Sequence, residues 1–364
     1  MKNHKLQKES PVDLLLRKTS SSGVSRRDLL RSLAAAGAAA GAGALLPAGG
    51  VFAQSTRSGA QGRAGRIDVH HHYTMPSWSK ISRVGANWDW TPAKSLEQMD
   101  KYGIITSILS ITQPGVWYGD VQQARALSRE CNDHGAKVVQ DHPGRFGLFA
   151  ALPLPDSEGT LREIEYAYDT LKADGIALLT SYDDKWLGDP AFVPAWEELN
   201  RRNAVVFVHV TGPACCKNLV PGVTATMSEY DFDTTRTINS LLVNGTLSRF
   251  PNVKLIFVHS GGTLPVLSGR INDRFPKDRM DRVPNGVMYE LKRLYYEVAH
   301  ATYAVPLAAL TRFVPASQIL FGTDYPAEAM ATTTEPLVQF GLSSKDLQAI
   351  NRGNAERLLP RYKA

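Results

Sequence analysis

The stretch RIDVHHH at residues 66–72 is the start of the pattern that decides the fold. Its first half contains the apolar residues Ile67 and Val69, and it ends in three consecutive histidines. Seven further short apolar runs follow it along the chain. The eight runs are Arg66–His70, Ile104–Ile111, Phe146–Leu152, Gly175–Thr180, Ala204–His209, Val253–His259, Leu294–Ala299 and Gln318–Thr323. Most are continuous apolar segments, which are typical of strands buried on both faces of a parallel sheet.

Longer amphipathic stretches lie between these runs and have the length of helices. The predicted helices are Val121–Gln140, Glu158–Ala173, Pro190–Asn203, Asp233–Arg249 and Ser343–Leu359. Side chains that accept hydrogen bonds from helix N-termini stand at several of the starts, namely Asp120, Asp189, Asp233 and Ser343. Eight strands alternating with helices predict an α/β fold, the (β/α)8 TIM barrel. A doubly wound open sheet is the alternative, but no Gly-rich fingerprint follows the first strand.

Four histidines stand at or just beyond the ends of predicted strands, namely His70, His72, His209 and His259. Side chains alternate along a strand, so His70 and His72 point to one side and His71 points to the other. In a TIM barrel the strand ends meet at one rim, where catalytic groups lie. Asp324 follows the eighth run and adds a carboxylate there. We therefore predict one divalent cation, Zn²⁺ or a similar ion, bound by His70, His72, His209 and Asp324.

His259 is followed by Ser260-Gly261-Gly262, where the glycines let the backbone approach a ligand closely. It is a candidate fourth imidazole ligand. We favour a catalytic role in proton transfer instead, because a zinc site that does chemistry keeps one position open for water or substrate.

The first 53 residues have the composition of an export signal. Arg26 and Arg27 precede an Ala/Gly-rich run over 32–46, and Val51-Phe52-Ala53 resembles a signal-peptidase site. The run is shorter than the roughly 20 apolar residues that span a bilayer, so we predict no stable membrane insertion. The predicted organisation is a twin-arginine signal peptide over 1–53, a flexible linker over 54–65 and a barrel domain over 66–364. The expected location is the periplasm or the exterior.

Composition excludes several classes of protein. Hydrophobic residues are 43% and charged residues 21% of the 364, which excludes a disordered or fibrous chain. Of the net charge of +6, residues 1–53 hold eight basic and three acidic side chains, so the remainder carries only +1. Overall charge therefore gives no support for a nucleic-acid partner. Three cysteines are too few for a disulfide-stapled scaffold.

Five segments together resemble the amidohydrolase superfamily, and within it the amidohydrolase-related, aminocarboxymuconate-semialdehyde-decarboxylase-like branch, close to relatives of 6-methylsalicylate decarboxylase. They are IDVHHHYTMP (67–76), LGDPAFVPAWEELNRRNAVVFVH (187–209), RFPNVKLIFVHSGGTLP (249–265), ILFGTDYP (319–326) and GNAERLL (353–359). They span nearly all of residues 66–364. Some decarboxylases of the branch have Glu in place of the first histidine, whereas this chain keeps His-x-His.

The resemblance implies a distorted TIM barrel, one divalent metal (Zn²⁺, with Mn²⁺ as the alternative) and non-oxidative decarboxylation of an aromatic hydroxy acid such as a salicylate-like compound. By position it makes His70, His72, His209 and Asp324 metal ligands and His259 the catalytic histidine, with Asp324 as a second candidate proton donor. It also implies a homodimer in which Arg270 reaches into the neighbouring site to hold the substrate carboxylate.

Three more side chains are candidates for contact with an aromatic carboxylate substrate: His300 after the seventh strand, and Tyr73 and Trp90 after the first. The same ligands also suit a hydrolase of an amide, lactone or ester, in which water attacks a carbonyl. A catalytically silent protein that binds a metal or small molecule is a further alternative. Adjacent Cys215 and Cys216 follow the fifth strand and are interpreted as inert or mildly redox-sensitive thiols.

Overall fold

The computed structural model describes residues 65–83, 88 and 90–363. The predicted signal peptide over 1–53 lies outside the described residues, as does the predicted linker except for Gly65. The barrel domain predicted over 66–364 lies almost entirely within them.

All eight predicted strands are present and form one parallel sheet. They are β1 Arg66–His72, β2 Ile104–Ser110, β3 Phe146–Ala151, β4 Gly175–Leu179, β5 Val205–His209, β6 Lys254–Phe257, β7 Tyr295–Glu297 and β8 Ile319–Leu320. Their order across the sheet is their order along the chain, and each neighbouring pair is parallel. This arrangement confirms the predicted (β/α)8 barrel.

Backbone hydrogen bonds join β1 to the residues that follow β8, so the first and last strands of the sheet meet. The Val69 N–H donates to the Phe321 carbonyl at 3.0 Å. Just beyond the strand, the Asp324 N–H donates to the His70 carbonyl at 2.8 Å, and the His72 N–H donates to the Tyr325 carbonyl at 2.7 Å. The first and last strands, 250 residues apart, therefore place their C-terminal residues side by side.

Helices surround the sheet and connect the strands. They are α1 Pro76–Ser82, α2 Pro92–Tyr102, α3 Val121–Asp141, α4 Ser157–Glu165, α5 Val193–Arg201, α6 Glu229–Val243, α7 Thr246–Arg249, α8 Leu264–Arg274, α9 Val287–Lys292, α10 Ala304–Phe313, α11 Ala331–Gln339, α12 Ser344–Gln348 and α13 Asn354–Leu358. None of these described helices is both long and apolar enough to cross a membrane. A small hairpin pairs Ser181–Tyr182 with Lys185–Trp186 after β4.

The predicted caps are mostly confirmed. The Asp120 carboxylate accepts a hydrogen bond from the Gln123 N–H at 2.7 Å and caps α3. Asp189 accepts from the Ala191 N–H at 2.8 Å, although it caps a short 3-10 turn that leads into α5. Ser343 accepts from the Asp346 N–H at 3.1 Å at the start of α12. Carboxylate and hydroxyl oxygens thus satisfy N–H groups that have no partner within their helices.

Three predicted helices differ from the structure. The one expected over Glu158–Ala173 is α-helical only over Ser157–Glu165 and continues as a π-helical turn over Tyr166–Thr170. The helix expected over Asp233–Arg249 begins four residues earlier, at Glu229, with Asp233 inside it, and is interrupted at Gly245 between α6 and α7. The Asp233 carboxylate is buried and accepts hydrogen bonds from the Trp186 Nε1–H at 2.7 Å and from the Thr180 hydroxyl, so tertiary partners replace the expected cap. The last helix is not continuous over 343–359, because a π-helical turn over 349–353 separates α12 from α13.

Asp68 holds the seam between β1 and β8. Its fully buried carboxylate accepts hydrogen bonds from the Thr323 N–H at 3.0 Å, the Thr323 hydroxyl at 2.7 Å and the His70 N–H at 3.1 Å. The outward-pointing His71 lies behind it, with Nδ1 at 3.4 Å from Asp68 and Nε2 at 3.0 Å from the Ser95 hydroxyl. This network fixes the backbone on which the predicted ligands stand.

We expect Asp68→Asn to destabilise the barrel. Both oxygens of Asp68 accept hydrogen bonds, and the asparagine NH₂ group cannot accept one. The donor that loses its acceptor stays buried and unsatisfied, which costs about 1–3 kcal/mol. The free energy of unfolding in urea measures this loss. The control is Asp120→Asn. Asp120 caps α3 at an exposed position, and asparagine caps a helix about as well as aspartate, so the free energy of unfolding should not change. Equal unfolding midpoints for the two variants would contradict the role given to Asp68.

Candidate metal and catalytic site

The four predicted metal ligands meet at the C-terminal rim of the barrel. The His72 Nε2 lies 3.0 Å from the His70 Nε2 and 3.1 Å from the His209 Nε2. The Asp324 Oδ1 lies 3.1 Å from the His70 Nε2 and 2.9 Å from the His72 Nε2. The four ligand atoms all lie within 4.8 Å of one another, and the four side chains are buried.

The other ring nitrogen of each ligand histidine is held by an oxygen. His70 Nδ1 lies 3.1 Å from a Glu297 carboxylate oxygen, His72 Nδ1 lies 3.3 Å from the Ser110 carbonyl, and His209 Nδ1 lies 2.9 Å from the Val210 carbonyl. A neutral imidazole that donates from Nδ1 has its lone pair on Nε2. All three lone pairs therefore face the same point, which is the arrangement of metal-bound histidines.

The donor set fits a divalent cation. Three imidazole nitrogens and one carboxylate oxygen suit Zn²⁺ or a neighbouring transition metal. Within the described part of the chain, the buried Asp324 Oδ1 has no hydrogen-bond donor, although ligand atoms surround it. Without a cation these nitrogens and this oxygen would repel one another, so a positive charge at their centre stabilises the arrangement.

The charges of the site also favour a cation. Burial opposes protonation of His70, but the carboxylates of Asp324 and Glu297 outweigh burial and raise its pKa to about 10. Burial alone would raise the pKa of Asp324, yet the surrounding histidines hold it well below its ordinary value. Burial and the neighbouring imidazoles lower the pKa of His209 well below its ordinary value. Two ionised carboxylates in this buried cluster favour a cation, and a bound metal would take the place of the proton on His70.

Asp324 faces two groups of side chains with its two oxygens. Oδ1 is directed to the ligand histidines, whereas Oδ2 lies 2.8 Å from the His300 Nε2 and 3.6 Å from the His259 Nε2. The His259 ring stacks on His70 with centroids 5.5 Å apart. The His300 side chain is 38% exposed, so it links the buried Asp324 to solvent. Asp324 therefore connects the ligand cluster with two histidines that can carry protons.

Three of these residues have left-handed backbone conformations. The φ angles are +51° at His259, +55° at His300 and +59° at Asp324. Such angles are unfavourable for residues other than glycine and occur most often where function requires a particular side-chain direction. All three follow the C-terminal ends of β6, β7 and β8, so the strained backbone turns them into the mouth of the barrel.

Glu297 is a site residue that the sequence analysis missed. It lies on β7 and is fully buried, and its Oε1 accepts a hydrogen bond from the His259 N–H at 2.6 Å while also holding His70. Burial alone would raise its pKa, but His70 keeps it below the ordinary value. A Cβ at Gly322 would collide with its carboxylate, so only glycine fits there. The signal was a glutamate inside the otherwise apolar run Leu294–Ala299.

Tyr73 is placed differently from the prediction. Its side chain is 1% exposed, its hydroxyl donates to the Cys131 carbonyl at 2.7 Å, and its ring lies against Trp90 in the core outside the sheet. The expectation that Tyr73 contacts substrate is therefore corrected: it shares the outward side of His71. Trp90 is buried in the same layer. Among the described aromatic residues, Trp88 is the one that stacks on a ligand, at 6.2 Å from His72.

A cavity of about 400 Å³ opens beside His259 and His300. Much of its remaining lining is apolar and comes from α8 and α10, and two of these residues, Val266 and Val305, are 73% and 76% exposed. Arg270 is exposed on α8.

The sequence is similar to a known family and to known proteins. A sequence profile described as amidohydrolase matches residues 67–361. Decarboxylase macB of Penicillium terrestre is 35% identical over 323 residues, which cover 82% of this chain and 96% of that protein. The 6-methylsalicylic acid decarboxylase of Penicillium expansum is 35% identical over 314 residues, covering 82% of this chain and 97% of that protein.

A solved structure also matches the fold. The dihydroxybenzoic acid decarboxylase of Polaromonas sp. JS666, crystallised with manganese and the inhibitor 2-nitroresorcinol, superposes with a TM-score of 0.74 at 23% identity, covering 82% of this chain and 98% of that one. The chain thus belongs to the amidohydrolase family, which confirms the resemblance found in its sequence.

We expect Glu297→Gln to weaken metal binding by about 10–100-fold, because it removes the charged partner that orients His70. Titration of the metal-free protein with Zn²⁺ or Mn²⁺ measures the dissociation constant. Glu163→Gln is the matched control, since Glu163 is a buried glutamate paired with Arg129 outside the site. If both variants bind the metal with unchanged affinity, Glu297 does not position a ligand.

Proposed function

We propose that this protein is a metal-dependent, non-oxidative decarboxylase of an aromatic hydroxy acid such as a salicylate-like compound. The observation that carries the proposal is the Asp324 carboxylate, which joins three ligand histidines on one side and His259 and His300 on the other. The relatives named as decarboxylases cover most of the chain and support the same reaction class.

The reaction requires a proton at the ring carbon. The bond from that carbon to the carboxylate breaks, CO₂ leaves, and the bonding electrons must be captured by a proton at the same carbon. A divalent cation bound by the four ligands would supply positive charge that orients an ionised carboxylate and a neighbouring phenol oxygen. The residues of the chain then have to supply and replace the proton.

Asp324 and His259 are the groups that can hold this proton at the ring. The Nε2 of His259 is buried and, among the described residues, has no hydrogen-bond partner, so it remains available to a substrate. The Oδ2 of Asp324 accepts a hydrogen bond from His300, whose exposed side chain exchanges protons with water. We infer that His300 replaces the proton after each turnover, which makes it a relay residue as well as part of the pocket wall.

The bound ion is either Zn²⁺ or Mn²⁺ in this proposal. Histidine-rich sites commonly hold Zn²⁺, whereas the manganese in the Polaromonas structure supports the alternative within the same fold. Hydrolysis of an amide, lactone or ester remains the second reaction that these ligands permit. The two reactions differ in overall stoichiometry, because decarboxylation releases CO₂ and hydrolysis consumes water.

We expect the metal-loaded protein to release CO₂ from ortho-hydroxybenzoic acids and, in D₂O, to place one deuterium on the vacated ring carbon. His259→Asn should keep the metal and lose turnover by about 100-fold or more, because general acid–base catalysis contributes 10²–10⁴. Asparagine also tolerates the left-handed backbone at this position. CO₂ release and product mass spectra measure both outcomes.

His209→Asn is the matched control and should lose the metal as well as the activity. If fully metal-loaded protein releases no CO₂ from any such acid, the decarboxylase proposal fails. Hydrolysis should then be assayed with a set of esters, lactones and amides. If His259→Asn loses the metal instead, His259 is a ligand and its assignment here is wrong.

We also propose that the protein forms a homodimer in which Arg270 of one subunit binds the substrate carboxylate of the other. The exposed Val266 and Val305 line the cavity beside His259, so covering this apolar face with a second copy would bury surface next to the site. Arg270 lies on the same helix as Val266, and its bidentate guanidinium suits a carboxylate.

Subunit mixing tests this arrangement. Arg270→Met and His259→Asn should each be inactive as pure dimers, whereas randomly mixed dimers should recover about a quarter of the wild-type activity, because half the dimers are mixed and each has one intact site. Arg274→Met on the same helix is the control and should remain active. Absence of recovery, or a monomer in sedimentation, would exclude the shared site.

The predicted leader supports a proposal for the cellular location. We propose export by the twin-arginine route, which the Arg26-Arg27 pair and the short apolar run support. Cell fractionation, together with the N-terminal sequence of the processed protein, measures the location and the cleavage point; intact protein in the cytoplasm would exclude export.

A further inference from the structure

The loop over residues 210–228 joins the metal site to helix α6. It leaves β5 directly after His209 and ends two residues before Tyr230. Asp231 and Phe232, which directly follow Tyr230, line the cavity beside His259, so this end of the loop also lies near the site. Gly212 packs near the Tyr230 ring, so the two ends of the loop come together.

Two adjacent cysteines lie in a short 3-10 turn of this loop, Ala214–Cys216. The Sγ atoms of Cys215 and Cys216 lie 2.6 Å apart, about 0.6 Å more than the S–S bond length of about 2.05 Å. The Cys216 N–H donates to the Pro213 carbonyl at 3.1 Å, and the Cys215 N–H donates to the Asp184 carboxylate at 3.3 Å. These hydrogen bonds hold the two sulfurs on the same side of the turn. Cys215 is exposed, so a soluble oxidant can reach it.

We propose that Cys215 and Cys216 are the site of a reversible vicinal disulfide that stiffens the loop at the mouth of the metal site. The oxidant is a disulfide such as oxidised glutathione. One thiolate attacks a sulfur of this disulfide and releases one thiol. The second cysteine then displaces the other thiol and closes the S–S bond. The two cysteines together lose two electrons and two protons, and the disulfide becomes two thiols.

The surroundings of the pair argue against a catalytic or metal-binding thiolate. The adjacent Cys216 sulfur is the main cause that raises the pKa of Cys215 to about 11, with the carboxylate of Asp184 adding to it. A catalytic or metal-binding thiolate needs the opposite, a lowered pKa in electropositive surroundings. Among the described side chains, the third cysteine, Cys131, is fully buried in α3 and is no partner for the pair.

The disulfide formed by adjacent residues is easily reduced. Consecutive Cα atoms are about 3.8 Å apart, whereas ordinary disulfides join Cα atoms about 4.4–6.8 Å apart. The short span strains the ring and shifts the equilibrium toward the dithiol. Strained and exposed disulfides of this kind are the labile ones that change with redox conditions. The loop therefore has two covalent states that the surrounding thiol–disulfide balance selects.

The experiment incubates the metal-loaded, full-length protein with oxidised glutathione and, separately, with reduced glutathione. After denaturation and alkylation, the oxidised protein should retain one reactive thiol of its three, and the peptide that contains both cysteines should be two hydrogens lighter. Trypsin should also cut slower after Lys217 in the oxidised protein, because the closed ring stiffens the backbone that must adapt to the active site of the protease. None of these measurements depends on the decarboxylase activity.

Cys216→Ser lacks the second thiol, so its reaction with oxidised glutathione should stop at a mixed disulfide on Cys215 and never give the peptide that is two hydrogens lighter. Cys131→Ser should form the same internal disulfide as the wild type. In the wild type, a stable mixed disulfide with glutathione, a disulfide between two subunits, or three thiols remaining in oxidised glutathione would each overturn the proposal. An oxidised peptide that is cut at the same rate as the reduced one would overturn the stiffening of the loop.

Discussion

The pairing of β1 with the residues that follow β8 is the constraint on which the site depends. The His70 carbonyl accepts the Asp324 N–H, and the Tyr325 carbonyl accepts the His72 N–H. Because these hydrogen bonds set the register between the two ends of the domain, the carboxylate of Asp324 lies beside the imidazoles of β1. A shift of one residue in this register would turn His70 and His72 away from Asp324, since side chains alternate along a strand.

Charge compensation is the second principle of the site. Two carboxylates, Asp324 and Glu297, lie in a buried pocket beside three imidazoles, and neither has a basic residue other than histidine as its direct ion-pair partner among the described residues. Burying such charges without compensation is costly, and a divalent cation offsets that cost while it binds the lone pairs. Asp324 also lies next to His259 and His300, so the proposed metal binding and the proposed proton transfer share one carboxylate.

Much of the fold and of the ligand set could be predicted from residues alone. Eight apolar runs of strand length gave all eight strands, because burial on both faces leaves an uninterrupted apolar pattern that helices and loops do not share. The clustering of the four proposed ligands could be predicted because residues at strand ends in a barrel share one rim. Glu297 escaped this reasoning because its partners, His70 and His259, come from other strands. The helix expected at Asp233 began elsewhere because Thr180 and Trp186 supply its carboxylate with tertiary hydrogen bonds.

The sequence by itself determined the barrel class, the order of the strands and the residue types that can bind a cation, since these depend on local apolar periodicity and on side-chain chemistry. The tertiary structure alone decided which side chains meet. It placed Tyr73 in the outer core, brought Trp88 onto His72 and directed His259, His300 and Asp324 inward through left-handed backbone angles. Such choices depend on contacts between residues tens to hundreds of positions apart, and no local pattern specifies them.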